Sequence, residues 1–71
     1  MKLTAQQRAA LMKQYLEHDD VAVRRQCHMV MLWDDGFSVR RVATLTGTNA
    51  EEVNDCIIWF RAGGMDDLLD G

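Results

Sequence analysis

The fold is decided by the stretch Ser38-Val39-Arg40-Arg41-Val42-Ala43-Thr44-Leu45-Thr46-Gly47-Thr48-Asn49-Ala50-Glu51-Glu52-Val53. Ser38 is a helix-capping residue, because its hydroxyl can accept from a backbone N–H that the first turn leaves without a partner. Val39, Val42, Ala43 and Leu45 follow at helical spacing and predict a short helix over 39–46 with one apolar side. Gly47 ends it, since a residue lacking Cβ enters the left-handed region without steric cost. Asn49 is the next cap, and Glu52 three positions on gives the pair a capping-box form. Ala43 is small enough for two helices to cross closely, and Val53 falls where the second helix packs back onto the first. A short helix, a glycine turn and a longer capped helix with these side chains form the sequence pattern of a helix-turn-helix.

The same logic extends outward in both directions. Downstream, Val53, Cys56, Ile57 and Phe60 make the inward stripe of a helix over 50–62, which Gly63-Gly64 ends, leaving a tail at 63–71. Upstream, Val23, Cys27, Val30 and Met31, with Ala22, Met29 and Trp33 beside them, predict a helix over 21–35 whose wide apolar arc suits the centre of the core. Asp20 is its cap and Gly36 its terminator. Thr4 and Gln7 form a capping box before a first helix over 4–17, with Leu11, Tyr15 and Leu16 on its apolar stripe. Proline is absent, and neither a strand pattern nor an internal repeat is present.

Seventy-one residues allow one domain, 1–71, with a small core. Apolar residues make up 48 % and charged residues 27 %, a globular rather than a disordered composition. There is no apolar run long enough to span a membrane and no secretory leader pattern, so a cytoplasmic location is expected. Cys27 and Cys56 do not form a C-x-x-C pair. A disulfide between them is one reading, and two reduced apolar core residues is the favoured one. The net charge is −3, from 8 Lys plus Arg against 11 Asp plus Glu. Such a chain does not attract phosphates at long range, so any nucleic-acid contact relies on a local basic patch.

Gly36-Phe37-Ser38-Val39-Arg40-Arg41-Val42-Ala43, the turn at Gly47, Val53, and Phe60-Arg61-Ala62-Gly63-Gly64-Met65 together resemble the N-terminal helix-turn-helix domain of mariner-like insertion-sequence transposases. Leu3-Thr4-Ala5-Gln6-Gln7-Arg8 and Arg24-Arg25 are similar to the opening and second helix of that family, so the likeness covers nearly the whole chain. The expected fold class is therefore all-α: four short helices in a homeodomain-like bundle containing a helix-turn-helix. In that family the unit binds the DNA ends of the element, and a separate acidic-triad domain performs strand transfer. The resemblance implies a non-catalytic DNA-binding domain; its few cationic contacts lead to the expectation of a dimer, and the residues offer no basis for a cofactor, a metal or a small-molecule substrate.

On this reading Arg24, Arg25, Arg40 and Arg41 contact phosphates, with Ser38 beside them, and Asn49, Ala50 and Asn54 approach base edges. The arginines read equally as solvated helix faces. The chain departs from the family on the second helix of the motif, where Glu51, Glu52 and Asp55 replace basic residues and Ile58-Trp59 occupy positions that are usually cationic. These five residues point to a different function, a protein-interaction surface on a retained fold. Their structural alternatives are first-turn carboxylates favoured by the helix dipole, and an apolar pair packed beneath Met65, Leu68 and Leu69. Enzyme chemistry has no constellation to support it. His18 and His28 lack companion ligands, Cys27 and His28 point about 100° apart on a helix, and Asp34-Asp35 reads as a helix end.

Overall fold

In a computed structural model, the described residues, 3–64, form four α-helices and no strand. They are α1 (Ala5–Glu17), α2 (Val21–Asp34), α3 (Val39–Thr46) and α4 (Ala50–Trp59), with a π-helical turn over Phe60–Gly64. All four predicted caps form. Thr4 Oγ1 accepts from the Gln7 backbone N–H while Gln7 Oε1 accepts from that of Thr4, both at 3.0 Å. Asp20 accepts from Ala22 N–H at 2.9 Å, Ser38 from Arg41 N–H at 3.2 Å, and Asn49 from Glu52 N–H at 2.8 Å. Each bond satisfies a first-turn donor that the helix itself leaves open.

The corner between α3 and α4 is built as the glycine requires. Gly47 has φ +70°, and the Thr48 N–H reaches back to the Ala43 carbonyl at 2.9 Å. Thr46 Oγ1 donates to the Val42 carbonyl and lies 2.8 Å from Thr48 Oγ1, which ties the last turn of α3 to the connection. Val42, Ala43 and Val53 are buried on the inner side of this corner. The arrangement is consistent with the helix-turn-helix expected from the sequence.

Helix α2 packs against α1, α3 and α4 and runs through the core. Leu11, Cys27, Val30, Val42 and Val53 are its most deeply buried side chains, joined by Met29, Met31, Cys56 and Ile57. Both cysteines are free thiols, not a disulfide.

Several sequence expectations are corrected. Leu16 and Leu45 do not join the apolar stripes. They are 68 % and 46 % exposed, because the width of each buried face is set by the neighbouring helix and not by the residue's own hydrophobicity. Helix α4 does not stay α-helical to 62. The Phe60 N–H is shared between the carbonyls of Cys56 and Ile57 at the end of the α-helix, a π-helical turn follows over Phe60–Gly64, and Gly63 at φ +100° ends it. Asp34 is more than a helix end. It is buried at 2 % exposure and accepts from the Leu3 backbone N–H at 2.8 Å and from Arg8 Nη1 at 2.7 Å. Arg8 also bridges to Asp35 at 2.8 Å and reaches the Met31 carbonyl. This cluster fastens the start of α1 to the end of α2.

Candidate nucleic-acid interface

Helix α4 buries Val53, Cys56 and Ile57 and turns its other side outward. Glu51, Glu52, Asn54, Asp55 and Ile58 are exposed and Ala50 is half-buried. Residues three and four apart share a helix face, so Ala50, Glu51, Asn54, Asp55 and Ile58 form one outward strip. Asn49 Oδ1 is engaged as the cap, which leaves its amide N–H₂ to donate elsewhere. The Ser38 oxygen is likewise engaged as an acceptor at the start of α3.

The four arginines of the sequence reading fall into two places. Arg40 and Arg41 are exposed in the first turn of α3. Arg24 and Arg25 lie in the first turns of α2. Arg25 lines a groove between α2 and α4 with Gln26, Met29, Glu52, Asp55 and Trp59. Arg24 lines a different groove, which Arg25 also borders, with Leu45 and Thr46 at the far end of α3. Among the described residues none of the four is within ion-pair distance of a carboxylate; the described ion pairs are both made by Arg8. Their charge is therefore not neutralised by a specific partner among the described residues.

The pair Ile58-Trp59 divides. Ile58 is 64 % exposed, whereas Trp59 is half-buried and packs against the core, with its edge on the groove beside Glu52 and Asp55. The packing alternative that involves Met65, Leu68 and Leu69 falls outside the described residues.

Nothing in the thiols suggests reactivity. Burial pushes Cys27 and Cys56 each up to about 11, so both stay protonated at neutral pH. Cys56 Sγ instead lies 3.6 Å from the Gln26 carbonyl, a weak contact between α4 and α2. The His28 and Tyr15 rings meet in a tilted arrangement, with centroids 5.2 Å apart. Among the described residues no group of three or more His, Cys, Asp or Glu side chains could hold a metal ion. No helix there is long and apolar enough to cross a membrane.

Sequence reasoning missed the Arg8–Asp34–Asp35 cluster, whose members lie 26 and 27 positions apart and carry no local signal. It also missed the convergence of Leu16, Val21 and Leu45 on one groove. An isolated apolar residue beside a predicted stripe was the available hint. Compared with known protein families, curated proteins and solved structures, the chain has no match.

Proposed function

We propose that this chain is a small DNA-recognition module of the helix-turn-helix type, with no catalytic role of its own. The observation that carries the reading is the outward strip of α4, held clear of the core by a glycine corner whose inner side is closed by Val42, Ala43 and Val53. In this reading α4 enters the major groove. Asn54 suits adenine, which offers a paired acceptor and donor to an amide, while Ala50 and Ile58 suit thymine methyl groups. Glu51 and Asp55 can accept from cytosine N4, and the absence of Arg and Lys on this strip removes the usual guanine contact. Arg25, Arg40 and Arg41 supply phosphate contacts on either side, with Ser38 and Asn49 near the backbone. So few cations give weak binding by one copy, so two copies on paired half-sites are required for useful affinity.

Titration of short random-sequence and defined duplexes with the protein tests this. Three phosphate contacts predict that log K falls with log salt at a slope of about −3. Arg40→Ala lowers that slope by about 1 unit and weakens all sequences alike. Absence of binding even near about 50 mM salt, where screening is least, removes the reading.

The acid on α4 favours a second reading, in which the fold is retained as a protein-interaction module. Glu51, Glu52 and Asp55 repel phosphates, and Ile58 is an exposed apolar anchor among them. Ile58→Ser then weakens a protein complex while leaving duplex binding unaffected. The opposite pattern supports DNA recognition.

A further inference from the structure

Three of the six large hydrophobic side chains exposed among the described residues, Leu16, Val21 and Leu45, line one groove at the meeting point of α1, α2 and α3. Arg24, Arg25 and His28 stand on the same groove, and among the described residues no carboxylate lines it. Neither arginine has an ion-pair partner among the described residues. A groove with an apolar floor and cationic rim fits an acidic segment bearing branched aliphatic side chains, and it disfavours a basic or purely polar one.

This chain contains such a segment. Met65-Asp66-Asp67-Leu68-Leu69-Asp70 carries three carboxylates, two adjacent leucines and no cation; it lies outside the described residues. We infer that the groove between α1, α2 and α3 receives the 65–70 segment of a second copy of this chain, with Leu68 and Leu69 on Leu16, Val21 and Leu45 and the aspartates facing Arg24 and Arg25.

Reach favours a second copy over the same one. The π turn starts beside the other end of α2, where Phe60 and Arg61 share a cleft with Trp33 and Leu3. From Trp33 back to Arg24 the helix rises about 14 Å at 1.5 Å per residue. From Gly64 to Leu69 a fully extended chain spans at most about 18 Å. A segment docking within its own copy would thus run nearly extended along α2, whereas in an exchange the span is set by how the two copies face each other. The exchange is reciprocal, two segments in two grooves about a two-fold axis, which is the closed arrangement expected of a homodimer.

Sedimentation equilibrium of the full chain tests the inference, with circular dichroism to verify that each variant keeps its helices. The wild-type chain is expected to show a weak, concentration-dependent dimer. Leu45→Ser on the groove, and Leu68→Ser with Leu69→Ser on the segment, each weaken it by about 10-fold or more. Arg24→Glu also weakens it. Adding Asp66→Arg and Asp67→Arg to Arg24→Glu restores it, which a merely structural effect of Arg24 would not allow. A chain that stays monomeric to about 1 mM overturns the inference. So does a dimer indifferent to the segment variants, or a failure of the charge exchange to rescue. Amide shifts at Leu16 and Leu45 that respond to Leu68→Ser at every dilution would show docking within one copy and equally overturn it.

Discussion

Arg8 joins parts of the chain that no local pattern connects. Its guanidinium meets Asp34 at 2.7 Å and Asp35 at 2.8 Å, and its pKa is raised, first by the hydrogen bond to Asp35 and then by that to Asp34. The two carboxylates differ in surroundings. The Asp34 side chain is fully buried and also receives the Leu3 N–H, while that of Asp35 is 43 % exposed. Loss of the arginine therefore acts mainly through Asp34, which would keep its charge in the interior with less compensation. Arg8 is itself partly open to water, so the full cost of an uncompensated buried charge is not reached. Arg8→Ala is expected to lower stability by about 1–3 kcal/mol. In a domain of this size that moves the melting midpoint down by about 5 °C or more, read by thermal circular dichroism. Arg8→Lys restores part of the loss, since an ammonium group cannot span both carboxylates in the same way. Equal melting of Arg8→Ala and wild type would show the cluster to be idle.

The helices were legible from the sequence because their punctuation is local. Thr4, Asp20, Ser38 and Asn49 each cap through a bond that spans two or three residues, so the capping signals are contained in the segments they start. The width of a buried face is not local. Leu45 sits one turn beyond Arg41 at the end of α3, on an open groove shared with α1 and α2 rather than in the core, and its hydrophobicity alone misplaced it. The end of α4 was missed for a related reason. Gly63 does terminate the helix, but a wider turn inserts at Phe60 first, and no residue type announces a π turn. A Cβ built on Gly47 meets nothing within 4 Å, so any penalty for a larger residue comes from its φ of +70° and not from collision. Gly47→Ala is expected to cost about 1–2 kcal/mol in denaturant unfolding, and Gly47→Asn less, because Asn tolerates the left-handed region. A loss far above that range for Gly47→Ala would mean that the corner is held by contacts absent from this structure.

At the scale of the whole molecule, the charge on α4 opposes the use suggested by its shape. The exposed strip carries Glu51 and Asp55, and Glu52 lines the same groove as Arg25, on a chain whose net charge is already −3. The sequence made this opposition visible without structural help, but it could not show where the arginines stand relative to the strip. That placement is tertiary: Arg25 flanks α4 across a groove, Arg24 serves another groove, and Arg40 and Arg41 stand at the start of α3. If the strip faces DNA, its carboxylates oppose the phosphates that the flanking arginines attract, and neutralising them strengthens binding. Glu51→Gln with Asp55→Asn is expected to raise duplex affinity by about 10-fold at low salt, an effect that shrinks as added salt screens the repulsion. The helix loses only a few tenths of a kcal/mol, since Glu51 gives up a favourable position near the positive end of the dipole while Asn49 keeps the cap. If the two carboxylates instead accept hydrogen bonds from cytosine, the same change relaxes sequence preference along with the gain in affinity. Binding unchanged by the double substitution, measured by fluorescence anisotropy on the duplex that the wild type prefers, would place DNA on some other face of the protein.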